Sequence, residues 1–266
     1  MLWLDRYERR ARLAPGLLAL LPVAVTITAL GLRDAPGVSA VVSLLSLSGG
    51  PVLLADTVRT FGTKAQEKLW KTWGGSPTTI ALRLREPTHN GLQRDRWRSA
   101  VEKVADVKLA TRRNEQSSPA KADEAIDVAV GRLRELTRDG DPRFLLVQAE
   151  NRGYGFQRNL YGIRHVGRVL ALGGALVIGA YIAWRGATGV HPVVLTADVL
   201  GLMANVLILL GWYVLPSADR VRAVGEKYAY QVLQAAVSLA SDTSAVAVSE
   251  PVATDSDPSS GSVGAS

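Results

Sequence analysis

Two pairs of apolar blocks, placed on either side of a basic middle segment, constrain this chain more than any other feature. Residues 13–32, 35–55 and 169–184 carry no charged side chain, and residues 186–215 carry a single carboxylate, Asp198. A helix needs about 20 apolar residues to cross the hydrocarbon core of a membrane. We therefore predict a mainly α-helical membrane protein in which two transmembrane hairpins, with four helices in total, flank a small cytoplasmic α+β domain.

Shifts in composition divide the chain into six predicted segments. These are an interfacial helix at 1–12, a first transmembrane hairpin at 13–56, a basic cytoplasmic sensory domain at 57–166, a second hairpin at 167–216, a cytoplasmic amphipathic helix at 217–240 and a disordered tail at 241–266. Within the basic domain, apolar and other residues alternate over Thr78–Arg85, which predicts a half-buried strand. Its expected partner is a second strand at Val107–Thr111.

The net charge of +7 is concentrated in the middle of the chain. Residues 57–168 hold 22 Lys and Arg against 13 Asp and Glu. Such a surplus favours anionic neighbours, including nucleotides, nucleic acid and lipid headgroups, although it can equally serve only to set orientation. Positively charged loops stay in the cytoplasm. We therefore expect the chain in the bacterial inner membrane, with both termini and the basic domain on the cytoplasmic side.

Polar residues inside the apolar blocks are candidates for lining a pore. Asp198, Asn205 and two further residues, His191 and Trp212, recur every seventh position, which places them on one face of a helix. A carboxylate at this depth is costly without a partner or water, so Asp198 is a candidate functional residue. The alternative is that Asp198 lies near the external end and is satisfied by a hydrogen bond. The second apolar block offers three further pore-lining candidates: Ser39, Ser43 and Ser46.

Those serines can instead hydrogen-bond across packed helices, which is the more frequent use of hydroxyl groups in membrane helices.

Arginine and aromatic side chains crowd the entrance to the third apolar block. Arginine binds phosphate oxygens in a planar fork, and aromatic rings stack on bases. We therefore predict a site for a nucleotide or a single-stranded oligonucleotide. Headgroup anchoring uses the same residue types and remains an alternative. The predicted ligand-binding residues are Arg152, Tyr154, Phe156, Arg158, Asn159, Arg164 and Arg168.

The run from Glu150 to Gly162 reads Glu-Asn-x-x-Tyr-Gly-Phe-x-Arg-Asn-Leu-x-Gly. It resembles a motif of uncharacterised bacterial four-helix membrane proteins, which often have a second arginine where this chain has Gln157. The layout of hairpin, soluble domain and hairpin is similar to that of membrane effectors in nucleotide-signalling antiphage systems. This resemblance implies an oligomeric, ligand-gated ion channel in the lipid bilayer, formed by copies of this chain, and a partner protein that synthesises the signal.

Absent motifs argue against an enzyme. The chain has no cysteine, which excludes disulfides, thiolate zinc sites and a thiol nucleophile. It also lacks a phosphate loop and a His-Glu-x-x-His helix. We therefore predict no catalytic residue, no metal and no cofactor. Two further classes stay open, namely a membrane-anchored scaffold that binds a protein partner and a small transporter that uses Asp198 for proton coupling.

Overall fold

The computed structural model describes residues 9–86, 90–138, 141–189 and 196–249. A π-helical turn (Arg9–Leu13) leads into the first helix. The helices, numbered along the chain, are α1 (Ala14–Ala29), α2 (Pro36–Leu47), α3 (Gly50–Trp73), α4 (Pro77–Leu82), α5 (Gly91–Ala105), α6 (Arg112–Ser117), α7 (Pro119–Leu136), α8 (Leu145–Gly162), α9 (Arg164–Thr188), α10 (Thr196–Val214) and α11 (Ala218–Ser249).

The predicted α+β domain is wrong, because the described residues contain helices and no strand. The first predicted strand, Thr78–Arg85, begins inside α4. Ser76 caps that helix by accepting a hydrogen bond from the backbone nitrogen of Thr79 at 3.2 Å, and Pro77 occupies its first turn. These start signals outweigh the two-residue alternation. The predicted partner, Val107–Thr111, is irregular.

The predicted arrangement of four membrane helices is also wrong. Among the described residues, three helices are long and apolar enough to cross a membrane: Ala11–Ala29, Arg164–Thr188 and Thr196–Val214. The block predicted as a second span breaks at Gly49, which has a left-handed backbone with φ 83°. The helix before this break, α2, has 12 residues and a length of about 18 Å, short of a hydrocarbon core about 30 Å thick.

The three long apolar helices α1, α9 and α10 pack against one another as a membrane bundle. Ala171 and Ile178 of α9 are fully buried there, whereas leucines and valines cover much of the outer surface. Helix α2 contacts mainly α3 and the short 3₁₀ turn after α1. This distribution, with small or branched residues inside and apolar residues outside, is what a hydrocarbon solvent permits.

The basic domain is a second helical unit. Its core contains the fully buried side chains of Leu82, Trp97, Ile126, Leu133 and Leu233. Helix α11 contributes the last of these and packs on both α5 and α8. This helix was predicted to end at 240 and extends to Ser249.

Parts of the predicted segments lie outside the described residues: 1–8 of the interfacial helix, 250–266 of the tail, and His191.

Buried ion pairs fix the irregular segment after α4. Arg98 donates from Nη1 to Glu115 Oε1 at 3.0 Å, and the other carboxylate oxygen of Glu115 accepts the backbone N–H of Leu84 at 2.7 Å. Arg83 and Arg85 both bind Asp123. Burial alone would raise the pKa of Asp123, but the hydrogen bonds from Arg85 and Arg83 outweigh it and hold that pKa below the ordinary value.

Helix α8 connects the two units. Its last residue is followed by Ile163 alone before α9 begins, so the basic domain leads directly into the membrane bundle. Helix α3 crosses α8 closely at Gly162. A Cβ added to this glycine would lie only 2.7 Å from the backbone of Phe61 and Gly62. Glycine at this crossing lets the two backbones approach. The same region also contacts the π-helical turn before α1.

Candidate anion-binding cleft

A cleft of about 900 Å³ lies where α3, α7, α8 and α11 meet the π-helical turn. We call it the junction cleft. Its volume is at the upper end of the range typical of ligand sites. The residues that line it are Arg12, Gln66, Trp70, Arg134, Glu135, Thr137, Arg138, Leu145, Val147, Gln148, Asn151, Arg152, Tyr154, Arg158 and Tyr228.

Five of the described arginines line this cleft, against one carboxylate, Glu135. That carboxylate is exposed and is bound by Arg132 at 3.2 Å, on the outer surface of α7. No described carboxylate forms an ion pair with Arg134, Arg138 or Arg152. These three guanidinium groups, which have no counter-charge among the described residues, create a positive potential in a partly enclosed space. The junction cleft is therefore suited to an anionic ligand.

Aromatic rings form part of the cleft wall. Tyr154 and Tyr228 lie parallel, with ring centroids 6.1 Å apart and planes inclined by 9°. Trp70 lines the same wall from α3. Flat aromatic surfaces beside guanidinium groups match the two parts of a nucleotide, its base and its phosphates.

The Tyr154 hydroxyl is held as a hydrogen-bond donor. Burial raises its pKa, although the nearby Arg158 and Arg134 act in the opposite direction. The phenol therefore stays protonated at neutral pH, and it donates to Gln66 Oε1 at 3.3 Å. Arg158 Nη1 donates to the same oxygen at 3.0 Å. This shared acceptor fixes both side chains at the end of the cleft nearest the membrane bundle.

A short hydrogen-bond chain runs from the cleft to the first membrane helix. Arg158 Nε donates to Asn159 Oδ1 at 3.2 Å, and Asn159 Nδ2 donates to the carbonyl oxygen of Ala11 at 2.7 Å. Asn159 is fully buried. Ala11 belongs to the π-helical turn, and its neighbour Arg12 lines the cleft. The cleft and the start of α1 are therefore in direct contact.

Three of the seven predicted ligand-binding residues line the cleft, and four do not. Arg152, Tyr154 and Arg158 line the cleft. Phe156 instead packs on the apolar cluster around Trp212, and Asn159 is the buried connector described above.

The other two predicted residues, Arg164 and Arg168, lie outside the cleft at the beginning of α9. Arg164 stacks on Tyr161 with 3.8 Å from its guanidinium carbon to the ring centroid, and Arg168 stacks on Tyr213 at 4.2 Å.

Sequence reasoning missed several cleft residues, notably Arg12, Trp70, Arg134, Arg138 and Tyr228. They come from four separate parts of the chain, and only tertiary packing brings them together. Arg134 and Arg138 carried a usable signal, because Arg134 lies in the last turn of α7 and Arg138 follows only two residues after that helix ends, so both can reach the same space.

The predicted pore-lining residues occupy two different environments. Asp198 is 1% exposed inside the bundle and accepts a hydrogen bond from Arg185 Nη1 at 2.9 Å. Asn205 is fully buried and donates to Thr26 Oγ1 at 3.2 Å. These contacts join α9 to α10 and α10 to α1. The three serines, Ser39, Ser43 and Ser46, are exposed on α2.

No family model, curated protein or solved structure matches this chain.

Proposed function

We propose that this protein is a membrane receptor that binds a phosphate-bearing ligand in the junction cleft. The ligand class is a nucleotide or a short single-stranded oligonucleotide. One observation carries the proposal: guanidinium groups and aromatic rings surround a cleft of about 900 Å³ beside the membrane bundle. Charge-assisted hydrogen bonds to phosphate are about twice as strong as neutral ones, and arginine makes them in pairs.

The unpaired arginines support a ligand role over a structural one. Arginines that stabilise the basic domain, such as Arg83 and Arg98, are bound to carboxylates. Arg134, Arg138 and Arg152 have no such partner among the described carboxylates and face a shared space. Like charges held together destabilise the fold. An anion bound in the cleft would remove that repulsion, so it would raise the stability of the folded protein.

The hydrogen-bond chain supports a route from the cleft to the membrane. A phosphate that engages Arg158 would compete with Gln66 and Asn159 for the same guanidinium donors. Asn159 holds the carbonyl of Ala11, in the π-helical turn that leads into α1. Single π-helical turns are frequent at functional sites because their register can change. Ligand binding would therefore shift the position of α1 within the bundle.

The output that we propose is a conductance in the bacterial inner membrane, formed by several copies of the chain, as in antiphage effectors. Three long apolar helices enclose little space by themselves, so a path for ions requires oligomerisation. Asp198 and Asn205, whose polar side chains are buried in the bundle, would stabilise ions or water on that path.

Binding of ATP and of the dinucleotide pApA to the detergent-solubilised protein tests the receptor. We expect the double variant Arg134→Ala/Arg138→Ala to bind the better of the two probes at least tenfold more weakly, because each lost ionic hydrogen bond contributes about 1.5–3 kcal/mol. Arg113→Ala is the control, since Arg113 is exposed on α6 and does not line the cleft. Equal weakening by both variants, or no binding of either probe, would contradict the proposal.

Planar-bilayer recording separates the receptor from the proposed pore. The wild-type protein should conduct when the bound probe is added on the side of the basic domain. Binding without any current would overturn the conductance and leave a receptor that acts on a protein partner.

A further inference from the structure

A second cationic site lies at the beginning of α9, outside the junction cleft. We propose that Arg164 and Arg168 bind the phosphate group of an anionic phospholipid in the leaflet beside the basic domain. This site does not depend on the ligand proposed for the cleft, since neither residue lines it.

Both guanidinium groups are held in place before any ligand binds. Arg164 donates from Nη1 to the carbonyl oxygen of Tyr161 at 2.7 Å while its guanidinium stacks on the ring of that tyrosine. Arg168 donates from Nε to the carbonyl oxygen of Trp212 at 3.1 Å and stacks on Tyr213. A cation fixed by a carbonyl and an aromatic face loses little side-chain freedom on binding.

Most of the donors of these two arginines remain for a ligand. Each guanidinium has five N–H donors, and the contacts above use one of each. No described carboxylate forms an ion pair with Arg164 or Arg168. They are four residues apart on one helix, which places their Cβ atoms about 5–6 Å apart. A single phosphate group is the ligand that we propose to bridge the two guanidinium groups.

The position of the site favours a lipid headgroup. Arg164 and Arg168 lie at the first turns of α9, and Trp212 and Tyr213 lie at the end of α10, so the site is at one end of two candidate membrane helices. Tyrosine and tryptophan are typical of the interface between hydrocarbon and water. Basic residues there attract anionic lipids.

The surface below the two arginines suits acyl chains. Leu172 and Leu176 continue the four-residue spacing from Arg164 and Arg168 along the same face of α9. Their exposed fractions are 48% and 64%. A phospholipid whose phosphate is bound at the two arginines would place its acyl chains on this apolar strip. A free phosphate would make no contact with the strip.

Binding of short-chain lipids to the solubilised full chain, followed by native mass spectrometry, tests this site. We expect dioctanoyl phosphatidylglycerol to bind at least tenfold more tightly than dioctanoyl phosphatidylcholine and than glycerol phosphate. The double variant Arg164→Ala/Arg168→Ala should lose that preference, whereas Arg132→Ala should keep it. Circular dichroism checks that the variants are folded, and Arg164→Gln/Arg168→Gln, which keeps side-chain bulk, should lose the preference as well.

Three results would overturn the proposal. The first is equal phosphatidylglycerol affinity in the wild type and both double variants. The second is equal affinity for the zwitterionic lipid, which would indicate non-specific acyl contacts. The third is equal affinity for glycerol phosphate, which would indicate a site for a soluble anion.

Discussion

The ion pair between Arg185 and Asp198 provides the sharpest test of the membrane bundle. Arg185 is 8% exposed and Asp198 is 1% exposed, and Arg185 Nη1 lies 2.9 Å from Asp198 Oδ2. Asp198→Asn would leave the Arg185 cation without its counter-charge. Breaking a buried pair in this way costs about 3–5 kcal/mol. We expect a loss of about 3 kcal/mol, at the lower end, because Arg185 lies in the last turn of α9 and can extend towards water.

A double-mutant cycle of Arg185→Met, Asp198→Leu and the double variant separates the interaction of the pair from local packing. Replacing both partners by apolar residues, as in Arg185→Met/Asp198→Leu, should cost less than Asp198→Asn alone, because no buried charge remains. Unfolding of the bundle in mixed micelles, followed by circular dichroism, measures each free energy. A loss below about 1 kcal/mol for Asp198→Asn, with an additive cycle, would refute the buried pair.

Two further predictions concern the basic domain and its junction with the bundle. Gly162→Ala should destabilise the protein by about 1–3 kcal/mol, because its Cβ would meet the backbone of α3. Gly153→Ala is the control and should not destabilise it, because its Cβ would contact Val224 at an ordinary 3.6 Å. Equal unfolding free energies for the two variants would contradict the close crossing. Since the folded pKa of Asp123 is below its unfolded value, its contribution to stability is present above about pH 4 and lost as the pH falls through the folded pKa. Asp123→Asn should therefore lower stability at neutral pH and flatten the acid limb of the unfolding profile; a limb as steep as that of the wild type would contradict the ion pairs.

Apolar block length predicted the long membrane helices well. The blocks behind α1, α9 and α10 correspond to the three helices long and apolar enough to cross a membrane. The prediction was wrong for the second block because composition does not register a local backbone break. Gly49, Gly50 and Pro51 lie together in that block, and the first of them takes a left-handed conformation.

The strand prediction shows a second limit. The prediction was based on alternation over Thr78–Arg85 and did not consider Ser76 and Pro77, which are ordinary start signals for a helix. Helix α4 continues for only about one and a half turns into Thr78–Arg85. After it ends, Arg83 and its neighbours bind carboxylates on other helices. Those long-range ion pairs hold the segment irregular, and no local pattern reveals them.

The candidate site was predictable only along α8. The density of arginine, tyrosine and glycine before the third apolar block pointed to Arg152, Tyr154 and Arg158, which line the cleft. The opposite wall comes from α7 and the residues nearest the membrane from the π-helical turn, far away in sequence. Their contribution depends on how the helices pack, so sequence reasoning identified only three of the fifteen residues that line the cleft.

Cysteine protection tests most directly whether the junction cleft is the ligand site. The chain contains no cysteine, so Asn151→Cys places a single thiol in the cleft, and Ser238→Cys places one on exposed α11 away from the cleft lining. With ATP or pApA bound, maleimide labelling should slow at least tenfold at Asn151→Cys and stay unchanged at Ser238→Cys. Undiminished labelling at Asn151→Cys under saturating probe would contradict the account.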